Sequence, residues 1–119
     1  MKLPNVENAV VDIEKLRDYC LNVNHEEGKH KARRFREKLG LTVNDAERLR
    51  QVILDAILRT DAKEQKPPQY GRRFTVEFEL SWPEGKFILN TAVVRTAWII
   101  RSEEDFPRLT TCYTPRRSA

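Results

Sequence analysis

Six cations crowd into ten residues of this chain: Lys29, Lys31, Arg33, Arg34, Arg36 and Lys38, against one acid, Glu37. They follow a loop, residues 22–28, that carries His25. A histidine beside dense positive charge has two readings, chemistry on a phosphate ester or a solvated helix face with an ordinary loop histidine. On the first, a helix opening at Lys29 offers free amide N–H groups and the positive end of its dipole. Gly28 lets backbone approach closely, and Lys29 and Lys31 add charge.

A second group lies near the C-terminus. Arg95 interrupts an otherwise apolar run, 93–100, where a lone arginine must be paired or face a groove. It alternates onto one face with Ala97 and Ile99, while Val94, Thr96, Trp98 and Ile100 take the other. Arg95, Thr111 and Tyr113, on neighbouring strands, could converge on one surface. Arg95 could equally pair with Glu77 or Glu79 across the sheet.

This inventory supports metal-independent acid–base chemistry on RNA. His25, or a polarised Tyr113, would move the 2′-hydroxyl and leaving-group protons, and Lys31 with Arg95 would stabilise charge on the phosphorane. Gly28, Lys29 and Arg108 would contact substrate. Such chemistry requires no cofactor. No metal-ligand spacing joins His25 and His30, and no phosphate-binding glycine loop, dinucleotide fingerprint or nucleophile elbow occurs. Cys20 and Cys112 form no CxxC pair and read as small buried hydrophobes, with nothing adjacent in sequence to activate a thiol.

The elements that must position these residues follow from periodicity. Residues 9–11 suit a short strand, and residues 13 to about 21 a helix capped by Asp12 with Ile13, Leu16 and Cys20 on one face. A second helix spans about 29–39, ended by Gly40. At 100° per residue Gly28, Ala32, Phe35 and Leu39 dock on the core, Lys31 and Arg36 flank that face, and His30 points away. A third helix starts at Asn44, with Glu47 closing a capping box, and ends near Arg59; Leu49, Val52, Ile53, Ala56 and Ile57 form its stripe. Residues 60–69, with Pro67-Pro68, read as an exposed linker. From Tyr70 the period becomes two, with Phe74, Val76, Phe78 and Leu80 inward. A turn at 83–85, a long strand over 87–100 bulging near Asn90, and a strand over 109–114 complete the chain. The expected fold is α+β: helices over about 12–60 packed on one face of an antiparallel sheet of about four strands over 70–114.

At 119 residues, 39% of them hydrophobic, the chain predicts one domain with a modest core. A net charge of +4 permits a nucleic-acid partner without requiring one. No apolar run is long enough to span a membrane and no signal-peptide core opens the chain, which predicts a cytoplasmic protein with no membrane partner.

Three segments, NVNHEEGKHKARRFREKLG, YGRRFTVEFEL and VVRTAWIIRSEEDFPRLTTCYT, carry a resemblance that covers nearly the whole chain. They resemble a family of small uncharacterised bacterial proteins with a His-x-x-Gly-x-x-Lys-Ala loop–helix, a Tyr-Gly strand start, an Arg-Thr-x-Trp-Ile-Ile strand and a Pro-Arg-Leu-x-Thr-x-Tyr end. The matching positions include His25, Gly28, Lys31, Tyr70, Gly71, Arg95, Thr96, Trp98, Pro107, Arg108, Thr111 and Tyr113. The order of elements is also similar to ribonucleases of the barnase–EndoU–colicin–RelE type, toxins among them. That analogy implies a small ribonuclease-like toxin component acting on RNA and restrained by an acidic antitoxin protein. The chain departs from those enzymes in lacking their glutamate–histidine pair or a second histidine near the sheet. The alternative is a non-catalytic module that binds nucleic acid or protein through the same basic surface.

Overall fold

The computed structural model describes residues 1–66 and 71–116 and has the expected α+β architecture. Its helices are α1 (Ile13–Lys15), which runs on into a π-helical turn (Leu16–Cys20), α2 (Lys29–Leu39) and α3 (Ala46–Ile57). The strands are β1 (Ala62–Gln65), β2 (Gly71–Glu84), β3 (Ile88–Arg101) and β4 (Arg108–Tyr113), paired antiparallel in the order β1-β2-β3-β4.

The sequence period sets which face each strand buries. Phe74, Val76, Leu80 and Trp82 of β2 and Val94, Trp98 and Ile100 of β3 turn to the helices and join one cluster with Leu16, Cys20, Phe35, Leu39, Leu49, Ile53 and Ile57. Register keeps this alternation continuous, with Phe74 opposite Trp98, Val76 opposite Thr96 and Phe78 opposite Val94. Thr96, the buried polar residue of that face, accepts from Trp98 Nε1 at 2.8 Å and donates to the Val76 carbonyl at 2.9 Å. Its hydroxyl is therefore satisfied on both sides, as burial requires. The other face carries Lys63, Thr75, Glu77 and Arg95 and is open.

α2 spans the residues its pattern predicts. Ala32, Phe35 and Leu39 are buried, His30 and Arg36 are exposed, and Gly40 takes φ 77°. There its N–H bonds the Arg36 carbonyl while Leu41 N–H bonds that of Phe35, a Schellman end that a side chain at Gly40 would strain.

Six expectations shift. The strand at 9–11 is a single parallel bridge, Val10 to Arg108, because only Val10 meets β4. Asp12 occupies the N-cap position, but its carboxylate bonds Arg108 at 3.2 Å rather than helix amides. The capping box is Thr42 with Asp45, which opens a 3-10 turn (Val43–Asp45) before α3; Glu47 instead pairs with Arg50, and α3 ends at Ile57. The linker supplies β1, which supplies the fourth strand, while Pro67, Pro68 and Tyr70 lie outside the described residues. The bulge falls between Ala97 and Trp98 in the pairing with β4, and Asn90 keeps its register opposite Trp82. The Asn90 amide bonds the Leu39 carbonyl and Glu84, tying the β2–β3 hairpin to the end of α2. Pro83 and Glu84 belong to β2, so the turn falls at 85–87.

Candidate functional site

The residues of interest gather where the π-helical turn, the His25 loop, the start of α2 and β4 meet. Leu21 N–H reaches back five residues to the Leu16 carbonyl at 2.9 Å. Such wide turns re-aim side chains and recur at functional sites. Here the turn buries Leu16 and Cys20 completely and leaves Tyr19 over the loop. The Tyr19 and His25 rings meet edge-on with centroids 4.9 Å apart, and Lys31 Nζ lies 5.6 Å from the Tyr19 centroid. Tyr19 thus links His25 and Lys31, and nothing in its own spacing signals that role.

His25 caps the loop. Its Nδ1 accepts from Glu27 N–H at 3.1 Å and Gly28 N–H at 3.0 Å, and its carbonyl accepts from Lys29 N–H at 2.9 Å. These amides are taken internally, so Gly28 and Lys29 do not offer them to a phosphate. With Nδ1 an acceptor, the neutral ring carries its proton on Nε2. Gly28 has a different reason to lack a side chain: a Cβ there would sit 2.7 Å from the Tyr19 carbonyl oxygen and 3.1 Å from its ring.

Lys31 is half-buried and reaches the edge of the sheet. Its Nζ lies 3.4 Å from Thr111 Oγ1 and 4.9 Å from the Tyr113 centroid. No carboxylate pairs with it among the described residues. Arg95 reaches the same tyrosine from the open face. Its Nη1 donates to Tyr113 Oη at 3.2 Å, its Nε and Nη2 grip Glu77 at 3.0 and 2.8 Å, and its guanidinium lies 5.8 Å from the Tyr113 centroid. The Tyr113 hydroxyl and then Glu77 raise its already high pKa. His25, Lys31, Thr111, Tyr113 and Arg95 therefore form one chain of contacts through Tyr19, with Arg95 also making the cross-strand pair with Glu77. Arg108 stands apart, held between Asp12 at 3.2 Å and Glu104 at 3.0 Å.

Two concavities meet at Lys31. A cleft of about 660 Å³ is lined by Tyr19, His25, Lys31, Thr110 and Thr111, with Asp12, Glu14, Asp18 and Glu27 along its walls. Asp12 and Asp18 are paired with Arg108 and Arg17. Beyond Lys31 the sign reverses: a groove of about 400 Å³ is lined by His30, Arg33, Arg34, Tyr113 and Arg116 with the single acid Glu37. His30 is exposed, as its helix position predicts, yet it borders this groove.

The cysteines correct a sequence inference. Cys20 and Cys112 are both fully buried, and Cys20 Sγ is 3.9 Å from Thr111 Oγ1. A hydrogen bond from the Cys112 thiol, with help from Thr111 and the Lys31 charge, lowers the Cys20 thiol to about 7. The same interaction, with burial, raises Cys112. The activating charge exists, but it comes from elements distant in sequence. Among the described residues no group of three or more His, Cys, Asp or Glu side chains could hold a metal, and no helix is long and apolar enough to cross a membrane.

A family model described as a domain of unknown function, DUF6883, matches residues 2–116. No curated protein and no solved structure matches the chain.

Proposed function

The chain belongs to the DUF6883 family, and we propose that it is a small ribonuclease-like protein that cleaves RNA by metal-independent acid–base chemistry. The observation that carries the reading is Lys31: a half-buried ammonium between two aromatic rings, beside a hydroxyl and without a carboxylate partner among the described residues. An unneutralised cation in a partly desolvated site is suited to charge that develops on a phosphorane. The RNA backbone follows the basic groove along Arg33, Arg34 and Arg116, and the scissile phosphate rests at Lys31 with Thr111. The 2′-oxygen then bonds to phosphorus as the 5′-oxygen leaves, giving a cyclic phosphate and a free 5′-hydroxyl. His25 Nε2–H, at the far end of the cleft, is a donor for the leaving oxygen; Tyr113, positioned by Arg95, accepts the 2′-hydroxyl proton as its own phenolic proton passes to solvent water. In the cell such a protein acts in the cytoplasm as the toxin of a toxin–antitoxin pair, held in check by an acidic partner.

One observation favours a second reading, a non-catalytic RNA-binding module. His25 Nδ1 is consumed as a cap, and four carboxylates line the cleft beside it. Incubation with total RNA in EDTA separates the two. Cleavage lost in both Lys31→Met and His25→Ala supports the nuclease; intact RNA at high protein concentration rejects it. Binding without cleavage supports the module, with an affinity falling as salt rises at a log–log slope of about −3 for four phosphate contacts.

A further inference from the structure

β3 is longer than β4, its neighbour on one side, can cover. β4 pairs with it only between Arg95 and Ile99, and Thr114-Pro115 then leaves the sheet. The segment Ile88 to Val94 has β2 on one side and, among the described residues, no strand on the other. Unpaired edges of this length are templates for an added strand unless they are blocked by charge, proline or a bulge. None of these occurs in Ile88-Leu89-Asn90-Thr91-Ala92-Val93-Val94, and its register with β2 is unbroken. The hairpin tip is also apolar and bare: Phe87 is 96% exposed, Leu89 66% and Ile88 56%.

Beside this edge runs a groove of about 470 Å³, lined by Thr91, Ala92 and Val93, by Arg34 and Lys38 of α2, and at one end by Thr114, Pro115 and Arg116. There Arg34 donates to the Thr114 and Pro115 carbonyls at 3.1 and 3.4 Å and keeps its charge unneutralised. It contains three cations and no acid. Arg34 and Lys38 stand four residues apart on α2, which sets their Cβ atoms about 5–6 Å apart. Alternate side chains of an extended strand repeat at about 6.6–6.8 Å on one face. A strand laid along β3 would therefore present successive same-face side chains to Arg34 and Lys38, and its opposite face beside Thr91 and Val93 on the open side of the sheet.

We propose that the free edge of β3 is a docking surface for an extended acidic segment of a partner protein, which adds to the sheet as a further strand in line with β4. Main-chain hydrogen bonds to residues 88–94 supply the binding, carboxylates at alternate positions meet Arg34 and Lys38, and apolar residues between them shelter Leu89 and the hairpin tip. The inference does not rest on the ribonuclease reading, since it needs neither RNA nor cleavage. It does imply that the occupant covers Arg34 and Arg116, two of the cations that border the groove at Tyr113.

The test uses the whole protein, isotope-labelled for amide NMR, and a capped octapeptide of alternating valine and glutamate. The expected result is amide shifts concentrated in residues 88–94 and affinity at least tenfold weaker for Lys38→Glu. A fully N-methylated form of the peptide keeps its charges and donates no ladder bonds, and it should bind at least tenfold more weakly than the parent. Equal binding of the methylated peptide, equal binding of an octapeptide with lysine in place of each glutamate, or shifts that spare 88–94 would each overturn the proposal. So would an oligouridylate that shifts the 88–94 amides and displaces the peptide at lower concentration, because the edge would then be a nucleic-acid site. Loss of RNA cleavage in Lys31→Met bears on neither outcome, as Lys31 lies outside this groove.

Discussion

Lys31 and Arg95 come from different layers of the fold, one from α2 and one from the open face of β3, yet both cations lie within 6 Å of the centroid of the Tyr113 ring. The sheet edge at β4 makes this meeting possible, because among the described residues no strand pairs with Tyr113 on its outer side to separate them. The ring acts as a spacer that keeps two positive charges near one another without contact. Cations over an aromatic face are stabilised by about 0.5–2 kcal/mol each, which offsets part of their mutual repulsion. Removing the ring should loosen both side chains. Tyr113→Phe keeps the ring and loses only the hydroxyl that accepts from Arg95, so stability should fall by about 0.5–1.5 kcal/mol. Tyr113→Ala should fall further and should reduce the proposed RNA binding. Chemical denaturation and filter binding on the two variants check this; equal behaviour of Phe and Ala variants would remove the spacer role.

His25 offers a cleaner separation of structure from chemistry. Its Nδ1 performs the job an Asn or Asp side chain does at a helix start, accepting two backbone N–H groups. His25→Ala should therefore cost about 0.5–2 kcal/mol, the range for losing a capping acceptor. His25→Asn should recover most of that stability. If the proposed proton donation at Nε2 is real, the Asn variant stays inactive on RNA while folding like the parent. Full activity in His25→Asn would reduce this residue to a cap.

Much of this arrangement was legible in the sequence because local patterns dictate it. The Ala32, Phe35 and Leu39 stripe fixed which way α2 turns, and with it the inward lean of Lys31 and the exposure of His30. Alternation in β2 and β3 likewise put Arg95 on the face of Glu77 and Glu79, away from Thr96 and Trp98, and the register then pairs it with Glu77. β1 was not legible: Ala62-Lys63-Glu64-Gln65 is polar, and it is a strand because Ala62 and Glu64 find partners in Val76 and Phe74. The bulge opposite Ala97 and the Thr42–Asp45 box depend on tertiary fit in the same way. Tyr19 and the charge near Cys20 were hidden for a further reason. Each acts through contacts with the His25 loop, α2 or β4, and the Cys20–Thr111 contact spans 91 residues of chain.

Gly28 is the point where packing reaches the site. An added Cβ would meet the Tyr19 carbonyl oxygen at 2.7 Å and ring carbons at 3.1 and 3.2 Å, so Tyr19 or the start of α2 must move. Alanine is otherwise the better helix former, by about 1 kcal/mol. Crowding of backbone against backbone outweighs that gain, and Gly28→Ala should destabilise by about 1–3 kcal/mol. Because Tyr19 also touches His25 and Lys31, the variant should lose the proposed RNA cleavage beyond what its stability explains. A thermal melt beside an RNA assay at a temperature where the variant is folded tests both parts, and a variant as stable as the parent would contradict the close approach.

The thiol pair gives a prediction about charge. Cys20 titrates near 7 chiefly because the Cys112 thiol donates to its sulfur, with Thr111 and the Lys31 ammonium adding to the effect against the opposing cost of burial. Cys112 is pushed upward, so across neutral pH the pair loses one proton and keeps the other. Following thiolate absorbance from pH 5 to 10 in the folded protein should show one step near 7 and no second step before unfolding. Lys31→Met removes a positive charge that favours the thiolate, so the step should move to higher pH. Cys112→Ala removes the larger contribution, the donated hydrogen bond, and should move it further toward the ordinary thiol value of about 8.5. If Lys31→Met leaves the step in place, the ammonium is not directed at this end of the cleft and does not stand ready beside Thr111 for a phosphate.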